Sequence, residues 1–116
     1  MPDVHQNSNR NLKAQAVSLA ASSGTDVVQT VDVFTGTDDI RTYHVNVCDA
    51  SDNGHAVWCE ILLYESEADI TVTLKREQLE YGEHMRWSGS LGANDKLQVR
   101  ITNDTSSTQL VHVTYW

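Results

Sequence analysis

The stretch LGANDKLQVRITNDTSSTQLVHVTYW, from Leu91 to Trp116, decides the fold class of this chain. A Gly-Ala-Asn-Asp turn opens it, and a polar turn at 103–108 divides the rest into two segments. In both segments apolar and polar residues alternate with a period of two, which is typical of half-buried antiparallel strands. The alternating apolar residues are Leu97, Val99 and Ile101 in the first segment and Val111, Val113 and Tyr115 in the second.

The same alternation extends upstream through most of the chain. Turn-forming clusters at 35–39 and 49–54 separate further apolar rows, and no helical periodicity follows residue 24. Short strands at this spacing predict a single antiparallel β-sandwich of about seven or eight strands over residues 25–116. The rows are Val27, Val31 and Val33; Tyr43, Val45 and Val47; Val57, Cys59, Ile61 and Leu63; and Ile70, Val72 and Leu74.

The N-terminal quarter differs from this pattern. Residues 1–11 are polar and without periodicity, so we interpret them as an arm. Residues 12–22, LKAQAVSLAAS, are rich in alanine and favour a short helix, but their alternation also fits a strand. Ser23-Gly24 then breaks the chain. We therefore divide it into an arm or swing segment at 1–24, in contact with a neighbouring subunit, and a sandwich at 25–116 that folds without residues 1–22.

Charge and hydropathy exclude several classes of function. The net charge is −8, with 16 acidic and 8 basic residues, whereas nucleic-acid binding requires clustered Lys and Arg. The sequence contains no run of about 18 apolar residues, so we predict neither a membrane span nor a membrane partner. Its first residues resemble no secretory signal, which predicts folding in a cytoplasm.

Motifs for catalysis and for metal binding are lacking, so we predict no enzyme, no cofactor and no metal site. Gly-x-Ser-x-Gly and phosphate-binding loops do not occur. The cysteines, Cys48 and Cys59, are too far apart in sequence for a short zinc motif, and reduced thiols are expected in a cytoplasm, although a pairing stays open. His44 and His112 both occupy polar positions of strands, where a cross-strand contact is conceivable.

Two segments together resemble a known group of proteins. They are YHVNVCDASDNGHAVWCEILLY, at 43–64, and the closing LGANDKLQVRITN…LVHVTYW. Over residues 25–116 this succession of strands and turns is similar to small β-sandwich proteins from the virions of tailed bacteriophages. The resemblance implies a jelly-roll-like sandwich and a structural role in the virion, made in the host bacterial cytoplasm. A capsid decoration or cement protein would bind the major capsid protein and copies of itself, often as a trimer. A neck, tail or fibre component is the alternative within the virion.

The aromatic residues leave two interpretations open. Trp58, Tyr64, Trp87, Tyr115 and Trp116 are suited to a sugar-stacking platform of a carbohydrate-binding module. They are also suited to subunit contacts, since large aromatic residues are frequent interface anchors. We favour the interface. The predicted interface residues are Trp58, Tyr64, Trp87 and Trp116 in the sandwich and Leu12, Val17 and Leu19 in the swing segment.

Overall fold

The computed structural model describes residues 12–116, which form eight strands and no helix. Because this part of the chain has no helix, it contains none that could cross a membrane. Six of the strands cover the predicted alternating rows, β1 lies in the segment before them, and β6 lies where no row was predicted. The strands are β1 (Lys13–Leu19), β2 (Val27–Thr35), β3 (Tyr43–Asp49), β4 (Val57–Glu65), β5 (Ile70–Leu79), β6 (His84–Gly89), β7 (Lys96–Asn103) and β8 (Gln109–Tyr115).

The strands form two four-stranded sheets that pack face to face. Sheet A has the order β1-β8-β3-β6 and sheet B the order β2-β7-β4-β5. Every pairing between neighbouring strands is antiparallel. Successive strands of the chain thus cross repeatedly between the sheets, in the order of a jelly roll. The predicted all-β sandwich of seven or eight strands is confirmed.

The core consists of the alternate residues that face the opposite sheet. The predicted rows of β7 and β8 supply its centre, because Leu97, Val99, Ile101, Val111 and Val113 are all fully buried. Burial of side chains of this size stabilises the fold by about 1.5–3 kcal/mol each relative to exposure. For β7 and β8 the sequence pattern therefore identified both the strand and the side of it that faces inward.

The segment at 12–22 is where the prediction needs correction. Its described residues include β1, which pairs with β8 in continuous register from Lys13 opposite Tyr115 to Leu19 opposite Gln109. It is neither a helix nor an arm separate from the sandwich, because Val17 and Leu19 are buried in the core. The sandwich therefore begins at β1 rather than at residue 25. The predicted arm at 1–11 lies outside the described residues.

One buried polar side chain holds three parts of the fold together. Asn103, at the end of β7, is fully buried. Its Nδ2 donates to the carbonyls of Ala20 and Ser107, at 2.9 and 2.8 Å. Its Oδ1 accepts from the backbone N and the hydroxyl of Thr105, at 3.0 and 2.7 Å. The amide thus ties the turn between β7 and β8 to the chain that follows β1.

Candidate binding surfaces

One side of the sandwich leaves apolar side chains uncovered. There β5 is the edge strand of sheet B and β6 the edge strand of sheet A. Val72 lies opposite Leu63, which packs against the core, but Val72 itself is 40 % exposed. Its neighbours Ile70 and Leu74 are 49 % and 37 % exposed. We call Ile70, Val72 and Leu74 the β5 strip.

A bulge in β5 explains why the strip ends where it does. The register with β4 shifts between Ile61 and Leu62, and Leu74 is the residue of β5 without a partner across the ladder. The extra residue reverses the phase of the strand. Lys75 consequently points toward sheet A, where its Nζ donates to the carbonyl oxygen of Arg86 at 3.1 Å. This contact links the two edge strands beyond the strip.

The outer face of sheet B carries paired charges and aromatic rings. The guanidinium of Arg76 lies 4.0 Å from the ring centroid of Trp58. Glu60 forms an ion pair with Arg100, and hydrogen bonds from Arg100 lower the pKa of the Glu60 carboxyl. The Tyr64 hydroxyl donates to Oδ1 of Asp69 at 2.7 Å, which raises the pKa of Tyr64. The polar groups on this face thus largely satisfy one another.

The outer face of sheet A has a depression of about 360 Å³ across β3, β6 and β8. His44 and Trp116 form one wall, with their rings stacked at a centroid distance of 5.2 Å and an interplanar angle of 12°. The two residues also exchange backbone hydrogen bonds, at 2.9 and 3.1 Å. Val45 and Trp87 also line the depression, and four polar residues complete the lining, namely Asn46, Arg86, Ser88 and Thr114. We call this depression the sheet A groove.

Asn46 is the centre of the hydrogen-bond network in the groove. Nε of Arg86 donates to its Oδ1 at 3.1 Å, and its Nδ2 lies 3.1 Å from Nδ1 of His84. The hydroxyl of Thr114 is within 3.5 Å of the same amide. At the other end, Nδ1 of His44 lies 2.9 Å from the Ser88 hydroxyl. These contacts hold the polar groups in place on a rigid sheet.

Acidic side chains are missing from the outer face of sheet A, as far as the structure describes the chain. The outward positions are those that alternate with buried ones in each strand. They include three of the five histidines and Arg86, although the whole chain carries 16 acidic residues. They are Ala14, Ala16, Ser18, His44, Asn46, Cys48, His84, Arg86, Ser88, Leu110, His112, Thr114 and Trp116.

The predicted interface residues do not lie together in the structure. Val17 and Leu19 are core residues and present no surface to a neighbour. Trp87 also packs against the core, where Gly89 leaves room for its ring. Leu12 is 50 % exposed just before β1, and Trp116 is 38 % exposed in the sheet A groove. The remaining two, Trp58 and Tyr64, are partly buried on β4.

The aromatic platform, the alternative to the favoured interface, is not assembled. Trp58 and Tyr64 lie on the outer face of sheet B, Trp116 lies on the outer face of sheet A, and Tyr115 is buried in the core. The five rings therefore offer no common surface to a sugar. Nor do His44 and His112 face each other, because His112 lies opposite Cys48 and His44 opposite Trp116.

The cysteines do not pair, since both are free thiols. Cys48 lies on the outer side of β3, whereas Cys59 is fully buried on β4 of the other sheet. Burial raises the pKa of Cys59 to about 12, so its thiol stays protonated. No group of three or more metal-binding side chains occurs within residues 12–116.

The turn after β3 has the chemistry expected from its Asx residues. Oδ1 of Asp49 accepts from the backbone N of Ser51 at 2.9 Å, and Oδ1 of Asn53 accepts from the N of His55 at 3.1 Å. Burial raises the pKa of Asp49, and the Ser51 hydrogen bond only partly opposes this effect. These side-chain oxygens thus accept hydrogen bonds from the backbone of the turn.

Two solved structures are similar to this chain. No family model matches it, and no curated protein matches its sequence. The crystal structure of PirA matches with a TM-score of 0.58 at 10 % identity, covering 89 % of this chain and 93 % of that one. The Yersinia pseudotuberculosis-derived mitogen matches with a TM-score of 0.59 at 15 % identity, covering 90 % and 84 %. At these identities the likeness is one of fold, and it extends over nearly all of the sandwich.

Proposed function

We propose that the chain is a non-enzymatic structural subunit of a tailed-phage virion, and that it decorates the capsid. The observation that carries the proposal is the β5 strip, an uncovered apolar row on an edge strand of an acidic protein. The proposal also draws on the resemblance of residues 25–116 to small sandwich proteins of phage virions. In the virion, this subunit binds the major capsid protein and copies of itself.

The geometry of β5 favours a protein partner at this edge. An edge strand leaves one side of its backbone unpaired, and natural sheets protect such edges with charges, prolines or short strands. β5 has ten residues and no proline, and its first charged residue is Lys75. The segment before Lys75 therefore combines free backbone groups with exposed apolar side chains, which is the chemistry of a subunit contact.

The resemblance to virion decoration proteins implies a trimer, which we place around this edge. A net charge of −8 keeps separate molecules soluble through mutual repulsion. Association then depends on burying a limited apolar patch, and closed cyclic symmetry is the usual result for identical subunits. The shell binds the assembled trimer through surfaces that include the partly buried rings of Trp58 and Tyr64, the two predicted interface residues on β4.

The experiment compares particles made with and without this protein. Purified protein is added to particles that lack it, bound protein is measured by co-sedimentation, and its position is determined by electron cryomicroscopy. We expect ordered density on the shell. Density on the neck, tail or fibres would contradict capsid decoration and support the alternative role as a component of those parts. Absence of the chain from purified particles would overturn any role in the virion.

A matched pair of variants tests the strip itself. Val72→Lys places a charge in the β5 strip, and Val28→Lys places the same charge on β2, where Val28 is 51 % exposed. We expect Val72→Lys to weaken association by at least about 10-fold, since an apolar contact is replaced by a buried charge. Val28→Lys should behave like the wild type in light scattering and co-sedimentation. Equal behaviour of the two variants, or a wild type that is monomeric in solution and on the particle, would refute this contact.

A further inference from the structure

We propose that the sheet A groove binds an acidic sugar, that is, a sugar ring carrying a carboxylate. This role goes beyond subunit assembly, because it concerns a different sheet and a different kind of partner. Three observations carry it: the charge of the surrounding face, the hydrogen-bonding groups that the groove presents, and its size with the stacked wall of His44 and Trp116.

Charge complementarity selects an anionic ligand. Among residues 12–116, the side chains on the outer face of sheet A include Arg86 and three histidines but no Asp or Glu, in a chain with a net charge of −8. No carboxylate within the described part of the chain lies within 4.0 Å of Arg86. By contrast, Arg100 on the other sheet is paired with Glu60. The guanidinium of Arg86 thus has no carboxylate partner among the described residues.

The guanidinium group of Arg86 is also oriented for binding a carboxylate. Its Nε donates to Oδ1 of Asn46, which fixes the plane of the guanidinium. The two terminal nitrogens make no hydrogen bond to any residue from 12 to 116 in the structure, so they remain available to donate two parallel hydrogen bonds to a carboxylate. Such two-point pairs are stronger and more directional than contacts of a single ammonium group.

The remaining groups match a ring with several hydroxyls. Within the groove, the Asn46 amide, the Ser88 and Thr114 hydroxyls and the His44 imidazole together offer both donors and acceptors. A flat acidic protein surface would use few of these hydrogen-bonding groups. A sugar ring would use several of them, because it presents hydroxyls at fixed angles. The volume of about 360 Å³ is at the lower end for ligand sites and is sufficient for one or two sugar rings.

The wall formed by His44 and Trp116 supplies the apolar element of the site. Trp116 is 38 % exposed, and its stacking on His44 fixes the orientation of the indole. The C–H face of a sugar ring packs against an indole, while its hydroxyls point toward the polar lining. The groove therefore offers one aromatic surface, one cation and several neutral polar groups, which together favour a carboxylated sugar over a bare inorganic anion.

The test begins with an array of carboxylated and neutral oligosaccharides and continues with one acidic oligosaccharide and its methyl ester. The ester keeps every hydroxyl and removes only the charge. The chain is used without a C-terminal tag, because Trp116 lines the groove. We expect the acid to bind at least about 10-fold more tightly than its ester in calorimetry. Its binding should shift NMR signals of His44, Asn46 and Arg86.

Charge-matched variants separate the groove from general electrostatics. Arg86→Gln should reduce affinity for the acid at least about 10-fold, and Arg86→Lys should give an intermediate value because it keeps the charge without the fork. Arg76→Gln removes the same charge from the outer face of sheet B and should leave the affinity unchanged. The proposal is overturned if no acidic oligosaccharide binds, if acid and ester bind equally, or if Arg76→Gln weakens binding as much as Arg86→Gln.

Discussion

Glu60 and Arg100 face each other across β4 and β7 and form a two-point ion pair. Nε of Arg100 donates to Oε1 and its Nη2 to Oε2, both at 3.0 Å. The carboxylate is nearly buried, with its side chain 11 % exposed, whereas the side chain of Arg100 is 40 % exposed. Hydrogen bonds from Arg100 are the main cause of the lowered pKa of Glu60, and burial opposes them.

This ion pair predicts a pH-dependent contribution to stability. Because folding lowers the pKa of Glu60, its contribution is complete above the ordinary Glu value of about 4.3 and is lost as the pH falls through the lower folded value. Glu60→Gln should therefore reduce the free energy of unfolding by about 1 kcal/mol at pH 7. Urea unfolding should show this difference shrinking at pH 3. Glu67→Gln, on an exposed turn residue, is the control, and a difference independent of pH would contradict the assignment.

Asn103 predicts an unusually large effect from an isosteric change. Its Nδ2 donates to two carbonyl oxygens, so Asn103→Asp would place a carboxylate oxygen against both of them. Loss of two buried hydrogen bonds, with repulsion in their place, should cost at least about 3 kcal/mol. Asn53→Asp is the control, because Nδ2 of Asn53 donates to only one carbonyl, in an exposed turn. Thermal unfolding measures both variants, and equal melting temperatures would refute the role of Asn103.

The sequence predicted the elements that are governed by local pattern. Val111 and Val113 alternate with polar residues, and this alternation alone places them inward. Local pattern could not predict whether β1 is a helix or a strand, because LKAQAVSLAAS fits a helix by propensity and a strand by alternation. Only the pairing of β1 with β8, a contact between the two ends of the sequence, resolves that ambiguity.

The sheet A groove could not be predicted from the sequence, because it too depends on contacts between distant parts of the chain. Asn46, Arg86 and Thr114 lie on three different strands, and no motif links them. The polar phase of each strand was visible in the sequence, but the order β8-β3-β6 that brings these phases together is a property of the fold. The sequence also left the aromatic platform open as an alternative, because it does not show that these rings are distributed over two sheets and the core.

The burial of β1 predicts that residues 13–19 are needed for folding. Leu19 is fully buried, so Leu19→Ala should reduce the free energy of unfolding by about 2–5 kcal/mol. Leu12→Ala makes the same chemical change at a half-exposed position and should cost less than about 0.5 kcal/mol. Deletion of residues 1–22 should abolish cooperative unfolding in urea. A truncated chain that unfolds cooperatively with the wild-type midpoint would restore the boundary at residue 25.

The two faces of β8 predict opposite outcomes for neighbouring substitutions. Val113 is fully buried between the sheets, and His112 beside it is exposed on the outer face of sheet A. Val113→Asp would bury an unpaired charge, at a cost of several kcal/mol that is comparable to the whole stability of a small domain. That variant should be insoluble or unfolded by circular dichroism. His112→Asp introduces the same carboxylate on the solvent side and should unfold within a few degrees of the wild type.

A further substitution, Trp116→Ala, removes a large outward-facing side chain directly after β8. The loss of the stack on His44 should lower the melting temperature only slightly, since Trp116 contributes little to the core. Binding of the acidic oligosaccharide should weaken, while co-sedimentation with particles should persist if the β5 strip makes the subunit contact. A Trp116→Ala protein that binds the sugar normally but no longer attaches to particles would contradict the role of Trp116 in sugar binding. It would place Trp116 in the contact with the particle instead. Loss of cooperative unfolding would instead make Trp116 part of the core.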